Sequence, residues 1–120
     1  MRRAALLACA FLLAACGGDD EQEAGPERSP AASRLEIVVR AEGRTTRRTL
    51  TCPGEAGCGR LEAAAFEPVP ADVACTEIYG GPETARVTGT LDGEVIDARF
   101  SRNNGCEIAR WDRVAWLLQP

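Results

Sequence analysis

The chain has no histidine and no lysine; all 14 of its basic residues are arginine. Without imidazole there is no Ser-His-Asp or Cys-His arrangement for nucleophilic catalysis and no histidine metal site. No G-x-G-x-x-G, phosphate-binding loop or internal repeat occurs, so no motif asks for a nucleotide, cofactor or metal. Residue types alone do not exclude a carboxylate-pair hydrolase, but no pair is singled out, and no enzymatic activity is expected. Positive charge is not in excess either. From Arg34 to Pro120 there are 11 arginines against 13 Asp and Glu, a net charge of −2, which leaves no electrostatic footprint for nucleic acid. The one long apolar run, Ala4 to Ala15, is twelve residues, too short to cross a bilayer as a helix.

That run is instead the centre of a targeting segment. Arg2 and Arg3 precede it, and it ends Leu13-Ala14-Ala15-Cys16-Gly17, which resembles the lipobox of bacterial lipoproteins. The resemblance implies cleavage before Cys16 and lipidation of its thiol. The competing reading is an ordinary secretory signal with an incidental cysteine; small residues before Cys16 and polar Gly17 to Glu23 after it favour the lipoprotein. Gly17 to Ser33 carries five acids (Asp19, Asp20, Glu21, Glu23, Glu27), one arginine, two prolines and no aliphatic side chain larger than alanine. Such a segment cannot bury enough apolar surface to fold, and its charge keeps it extended. The expected organisation is a signal peptide (1–15), a lipidated cysteine with an acidic tether (16–33) and one folded domain (34–120). The expected location is extracytoplasmic and anchored to the cell membrane by lipid, with secretion as the alternative.

Removing Cys9 with the signal and assigning Cys16 to lipid leaves Cys52, Cys58, Cys75 and Cys106. Four cysteines allow three pairings. Zinc is the rival use, but an exported domain is in an oxidising compartment and no paired CxxC is present, so two disulfides are expected. A domain this small has a core that needs such help.

Periodicity predicts an α+β fold. Leu35, Ile37, Val39 and Ala41 alternate on one strand face; Glu42-Gly43-Arg44-Thr45 reads as a turn, and Thr46 to Cys52 returns with Leu50 inward. Pro53-Gly54 stops that strand, and Cys58 to Phe66 favours a short helix on alanine content until Pro68 and Pro70 break it. Asp92-Gly93 suits a two-residue type I′ hairpin. Pairing about it places Val87, Gly89, Leu91, Ile96, Ala98 and Phe100 on one face and Arg86, Thr88, Thr90, Asp97 and Arg99 on the other, with Val95 the apolar exception. Asn103-Asn104-Gly105 reads as another turn, and Val114, Trp116 and Leu118 alternate in a final strand, with Trp116 in the core. The expected architecture is a five-stranded antiparallel sheet with one short helix packed on one face.

The stretch from Cys75 to Cys106 bears most on function. A short loop, Cys75-Thr76-Glu77-Ile78-Tyr79-Gly80-Gly81-Pro82, begins at one cysteine and a hairpin brings the chain back to the other. A bond between them would fix the loop before anything binds it, and a loop already in its bound shape loses little entropy on binding.

In this order, Leu50-Thr51-Cys52, Cys58 with Leu61 three residues on, Cys75 with Tyr79 four on, Pro82, Val87-Thr88-Gly89-Thr90-Leu91-Asp92-Gly93, and Phe100 before Cys106 resemble the Streptomyces-type subtilisin inhibitor family. The likeness runs from Leu35 to about Leu118. It implies pairing of Cys52 with Cys58 and of Cys75 with Cys106, and a scissile bond between Glu77 and Ile78. Glu77 would then be the specificity residue, with Ala74, Cys75, Thr76 and Tyr79 lying in the protease cleft; outside that role, a tyrosine beside two glycines packs back on its own loop. The implied partner is a subtilisin-like or other serine protease, at an interface of about 1,600 Å², with membrane contact through the lipid only, no nucleic acid, and a homodimer allowed. The sequence departs from the family's pattern at Gly80-Gly81, read as loosening the loop, and at Glu77, where subtilisin-like enzymes prefer an apolar residue. The rival reading is a non-enzymatic cell-surface binding lipoprotein on the same scaffold.

Overall fold

A computed structural model describes residues 32–119. The expected signal peptide, Cys16 and nearly all of the expected tether lie outside the described residues. Two hairpins form the sheet. Strands β1 (Ser33–Ala41) and β2 (Arg44–Cys52) join through Glu42-Gly43, and β3 (Thr84–Leu91) and β4 (Glu94–Phe100) join through Asp92-Gly93. All four turn residues have positive φ (51°, 73°, 50° and 85°), the geometry of a type I′ turn. Antiparallel pairing of β1 with β3 welds the hairpins into the order β2-β1-β3-β4. The register sets Leu35 against Leu50 and Gly89, and Ile37 against Val87, which in turn faces Ala98.

The α+β class, the antiparallel sheet and the two disulfides hold, but the sheet has four strands rather than five. The expected fifth strand is a helix, α1, Gly105–Leu118. The alternation of Val114, Trp116 and Leu118 is real but subordinate. Ile108, Trp111, Val114 and Leu118 recur at three- and four-residue spacing, the helical repeat. The buried residues of α1 are Arg110, Val114, Leu117 and Leu118. Asn103-Asn104-Gly105, expected to be a turn, is the helix start: the Asn104 side chain accepts from the Glu107 amide at 2.9 Å, and a glutamate three residues after the cap belongs to the same signature. At the other end the Arg48 guanidinium, reaching from β2, donates to the Leu117 carbonyl and opposes the negative end of the helix dipole.

The expected short helix at Cys58–Phe66 is two 3-10 turns, Cys58–Arg60 and Ala63–Phe66. Alanine favours helix but supplies no apolar stripe, and only Phe66 of these residues is buried. Phe66 meets Phe100 edge to face at 6.3 Å between ring centroids.

The second turn and α1 cover one face of the sheet. Between the layers lie Leu35, Ile37, Val39, Leu50, Val87, Leu91, Ile96 and Phe100 from the strands and Val114, Leu117 and Leu118 from α1. Full burial of a side chain such as Leu35 or Leu117 is worth about 1.5–3 kcal/mol. Trp116 is half-buried at the margin of this core, with the Arg60 guanidinium 4.6 Å from its ring centroid. The opposite sheet face has no covering layer among the described residues.

Candidate functional site

The loop that the resemblance singles out lies between the second 3-10 turn and β3. From Val73 to Gly81 the backbone makes neither turn nor bend. Pro68, Pro70 and Pro82 bracket it, and residues before proline are driven towards extended conformations. Ala74, Thr76 and Glu77 are exposed, and Ile78 and Tyr79 are 60 % and 65 % exposed. Tyr79 therefore does not pack back onto its loop.

Both disulfides are formed, Cys52 to Cys58 and Cys75 to Cys106. The first ties the end of β2 to the first 3-10 turn, well away in sequence from the loop. The second pins the loop at Cys75 to the first turn of α1.

Two backbone hydrogen bonds add to that clamp. The Gly105 amide donates to the Thr76 carbonyl at 2.9 Å, and the Gly80 amide donates to the Arg102 carbonyl at 2.7 Å. Glu77, Ile78 and Tyr79 bridge the two anchor points with no backbone–backbone bond of their own among the described residues. Amides and carbonyls in that bridge are open to a partner strand, and extended peptides are recognised through such groups.

The glycines around the loop act by close approach. A Cβ at Gly80 would lie 2.9 Å from the Ile108 side chain, and one at Gly105 would lie 2.0 Å from the Thr76 hydroxyl. Gly80, expected to loosen the loop, instead lets it seat against α1. Downstream, the Arg102 guanidinium reaches Glu83 at 3.4 Å, so Arg102 holds the Gly80–Glu83 segment by both its carbonyl and its side chain.

All six residues assigned to the loop (Ala74, Cys75, Thr76, Glu77, Ile78, Tyr79) thus sit in one continuous segment. Its supports, Arg102, Gly105 and Ile108, were not legible from the sequence while 105–118 read as turn and strand. The Asn104–Glu107 capping pair is the signal that would have found them.

Beneath this support Arg110 is 8 % exposed. It pairs with Glu107 at 2.7 Å, donates to the Arg99 carbonyl at 3.1 Å and stacks over Phe100 at 4.7 Å. The pair locks the first turn of α1, which carries Cys106, to the end of β4.

Disulfide bonding suits an oxidising, extracytoplasmic compartment, and no helix among the described residues is long and apolar enough to cross a membrane. No family model, curated protein or solved structure matches the chain.

Proposed function

We propose that the domain is a non-enzymatic serine protease inhibitor of the subtilisin inhibitor type. It acts through a substrate-like loop and is held at the cell membrane by lipid on Cys16. The observation that carries this reading is the exposed, extended Glu77-Ile78-Tyr79 bridge, anchored on both sides to one short stretch of chain, Arg102 to Ile108.

The mechanism follows from that anchoring. A protease serine attacks the Glu77 carbonyl, and Glu77 and Ile78 become new chain ends if the bond opens. The Glu77 end stays fixed through Cys75–Cys106 and the Thr76 carbonyl. The Ile78 end stays fixed two residues away, through the Gly80 amide. Neither end diffuses off, so the new amine remains poised over the acyl group and resealing competes with hydrolysis. The ordering cost of binding is low because the loop is already extended.

Glu77 sets the target. A carboxylate buried without a partner costs several kcal/mol, so the matching enzyme has a basic specificity pocket.

The test is a panel of serine proteases, including an acid-specific one, titrated with the folded domain. Inhibition of the acid-specific enzyme is expected, with a slowly appearing new N-terminus at Ile78. Glu77→Leu should weaken that inhibition and strengthen binding to a subtilisin with an apolar pocket, by several-fold or more in each direction. If neither Glu77→Leu nor Glu77→Met changes inhibition of any enzyme that the unaltered domain inhibits, Glu77 is not the specificity residue. If no enzyme responds at all, the inhibitor reading falls and the binding-lipoprotein reading replaces it.

A further inference from the structure

The uncovered face of the sheet has a charge that the composition conceals. Strand pairing places Arg47, Val38, Arg86 and Arg99 side by side in one row across all four strands, with Arg40 in the next row and Arg34 at the far end of β1. With Glu36 and Asp97 as its only acids, this face carries five arginines against two carboxylates, a net +3. The remainder of the domain, with 6 arginines and 11 acids, carries −5. Glu36 pairs with Arg47 at 3.1 Å and Asp97 with Arg86 at 3.0 Å. Arg34, Arg40 and Arg99 have no carboxylate partner among the described residues. Between the arginines the face is mostly threonine: Thr49, Thr51, Thr84, Thr88 and Thr90 all turn to this side.

We propose that this face docks on anionic phospholipid headgroups at the membrane surface. The arginine row spans about 14 Å from β2 to β4, three inter-strand steps. It overlies a shallow groove of about 690 Å³, lined by Arg40, Arg47, Arg86 and Arg99 against the carboxylates of Glu36 and Glu107, an open shape that suits a lattice of phosphates better than one small ligand. Guanidinium groups bind phosphate through paired donors, and threonine hydroxyls add further donors. The occupant is argued from charge complementarity and from where the chain ends. In the lipoprotein reading, on which this part of the argument rests, Cys16 lies only 17 residues before Ser33, so an anionic surface is always within reach. With the sheet face down, the core-packed part of α1, Val114 to Leu118, lies in the opposite layer.

The experiment uses unlipidated residues 17–120 and vesicles of phosphatidylglycerol mixed with phosphatidylcholine, so the anchor plays no part in the readout. Co-sedimentation is expected with these vesicles and not with phosphatidylcholine alone, weakening as salt is raised. Each arginine removed should cost roughly fivefold in partitioning, so Arg40→Gln with Arg99→Gln should lose on the order of twentyfold, while Arg113→Gln, on α1, should bind as the unaltered chain does. Circular dichroism and thermal melts identify any variant whose loss comes from unfolding. Equal binding to both vesicle types, or an unchanged folded double variant, overturns the proposal. So does binding that appears only after residues 17–31 are removed, which would give the face to the chain's own acidic segment. Retention of polyphosphate or DNA without vesicle binding would also overturn it. Inhibition assays are independent of all these outcomes.

Discussion

Arg110 and Glu107 form a nearly buried ion pair, with side chains 10 % and 21 % exposed. The Arg110 Nε has no hydrogen-bond partner, so the guanidinium depends on Glu107 and on the Arg99 carbonyl. Removing one member of a buried pair leaves the other desolvated and uncompensated. Glu107→Gln should therefore destabilise the domain by about 2–3 kcal/mol, less than a fully buried pair because water still reaches the carboxylate. Adding Arg110→Met should recover at least half of that loss by placing an apolar chain over Phe100. Denaturant unfolding of the single and double variants measures both effects; a neutral Glu107→Gln would mean that the pair is dispensable. Arg86 and Asp97 are the contrasting case, an exposed pair on the open face. The hydrogen bond from Arg86 holds the Asp97 carboxyl below its ordinary range. With the folded value depressed, the contribution is present above the unfolded carboxylate range and lost as pH falls through the folded value. Solvent keeps it small.

At the scale of elements, α1 has a double role: it closes the core and it supports the loop. Its first turn is capped by Asn104, whose loss should cost about 1 kcal/mol. Because Gly105 donates to Thr76 and Cys106 is bonded to Cys75, fraying at this end should also reach the loop. Asn104→Ala is expected to speed amide exchange from Gly105 to Ile108 and at Gly80, while β1 and β3 are unaffected; uniform exchange across the domain would show instead that the cap acts only on global stability. Both hairpins were legible in the sequence, the second sharply because Asp92-Gly93 supplies the positive φ its turn needs; the first turn was read two residues too wide, as Glu42 to Thr45, whereas β2 already begins at Arg44. The alternating residues of β1, β3 and β4 sorted themselves into faces for the same reason, a strict period of two. The helix was not legible as such, because Val114, Trp116 and Leu118 satisfy a strand period over a short window and the helical spacing emerges only when Ile108 and Trp111 are included. Of the candidate site, the loop was visible from its cysteine and prolines. Its supports were not, since they depend on Asn104-Gly105 starting a helix rather than making a turn.

The whole molecule distributes charge and crosslinks unevenly, and neither pattern shows in totals. A net charge of −2 says nothing of a sheet face at +3, because only strand register decides which arginines share a side. The crosslinks are likewise unequal in what they connect. Cys52–Cys58 closes a loop of sequence separation 6, whereas Cys75–Cys106 spans 31 and ties the loop segment to α1 across the β3–β4 hairpin. On the chain-entropy account, the short crosslink is worth about 2 kcal/mol and the long one roughly 3–4 kcal/mol. A domain of this size has a net stability of only about 5–15 kcal/mol, so both losses are measurable and the larger one is severe. Cys75→Ser with Cys106→Ser should lower the melting temperature by on the order of 20 °C, and Cys52→Ser with Cys58→Ser by about half as much. The two variants should differ in kind as well. Without the long crosslink, the Thr76 and Gly80 hydrogen bonds alone hold the loop, and cleavage at Glu77–Ile78 should become rapid and irreversible because the upstream end is no longer retained. Without the short crosslink, the loop's anchors are intact and cleavage should stay slow at any temperature where the domain is folded. Thermal melts paired with timed protease digestion separate the two; equal digestion rates for the folded variants would show that the Cys75–Cys106 bond stabilises the fold without holding the loop.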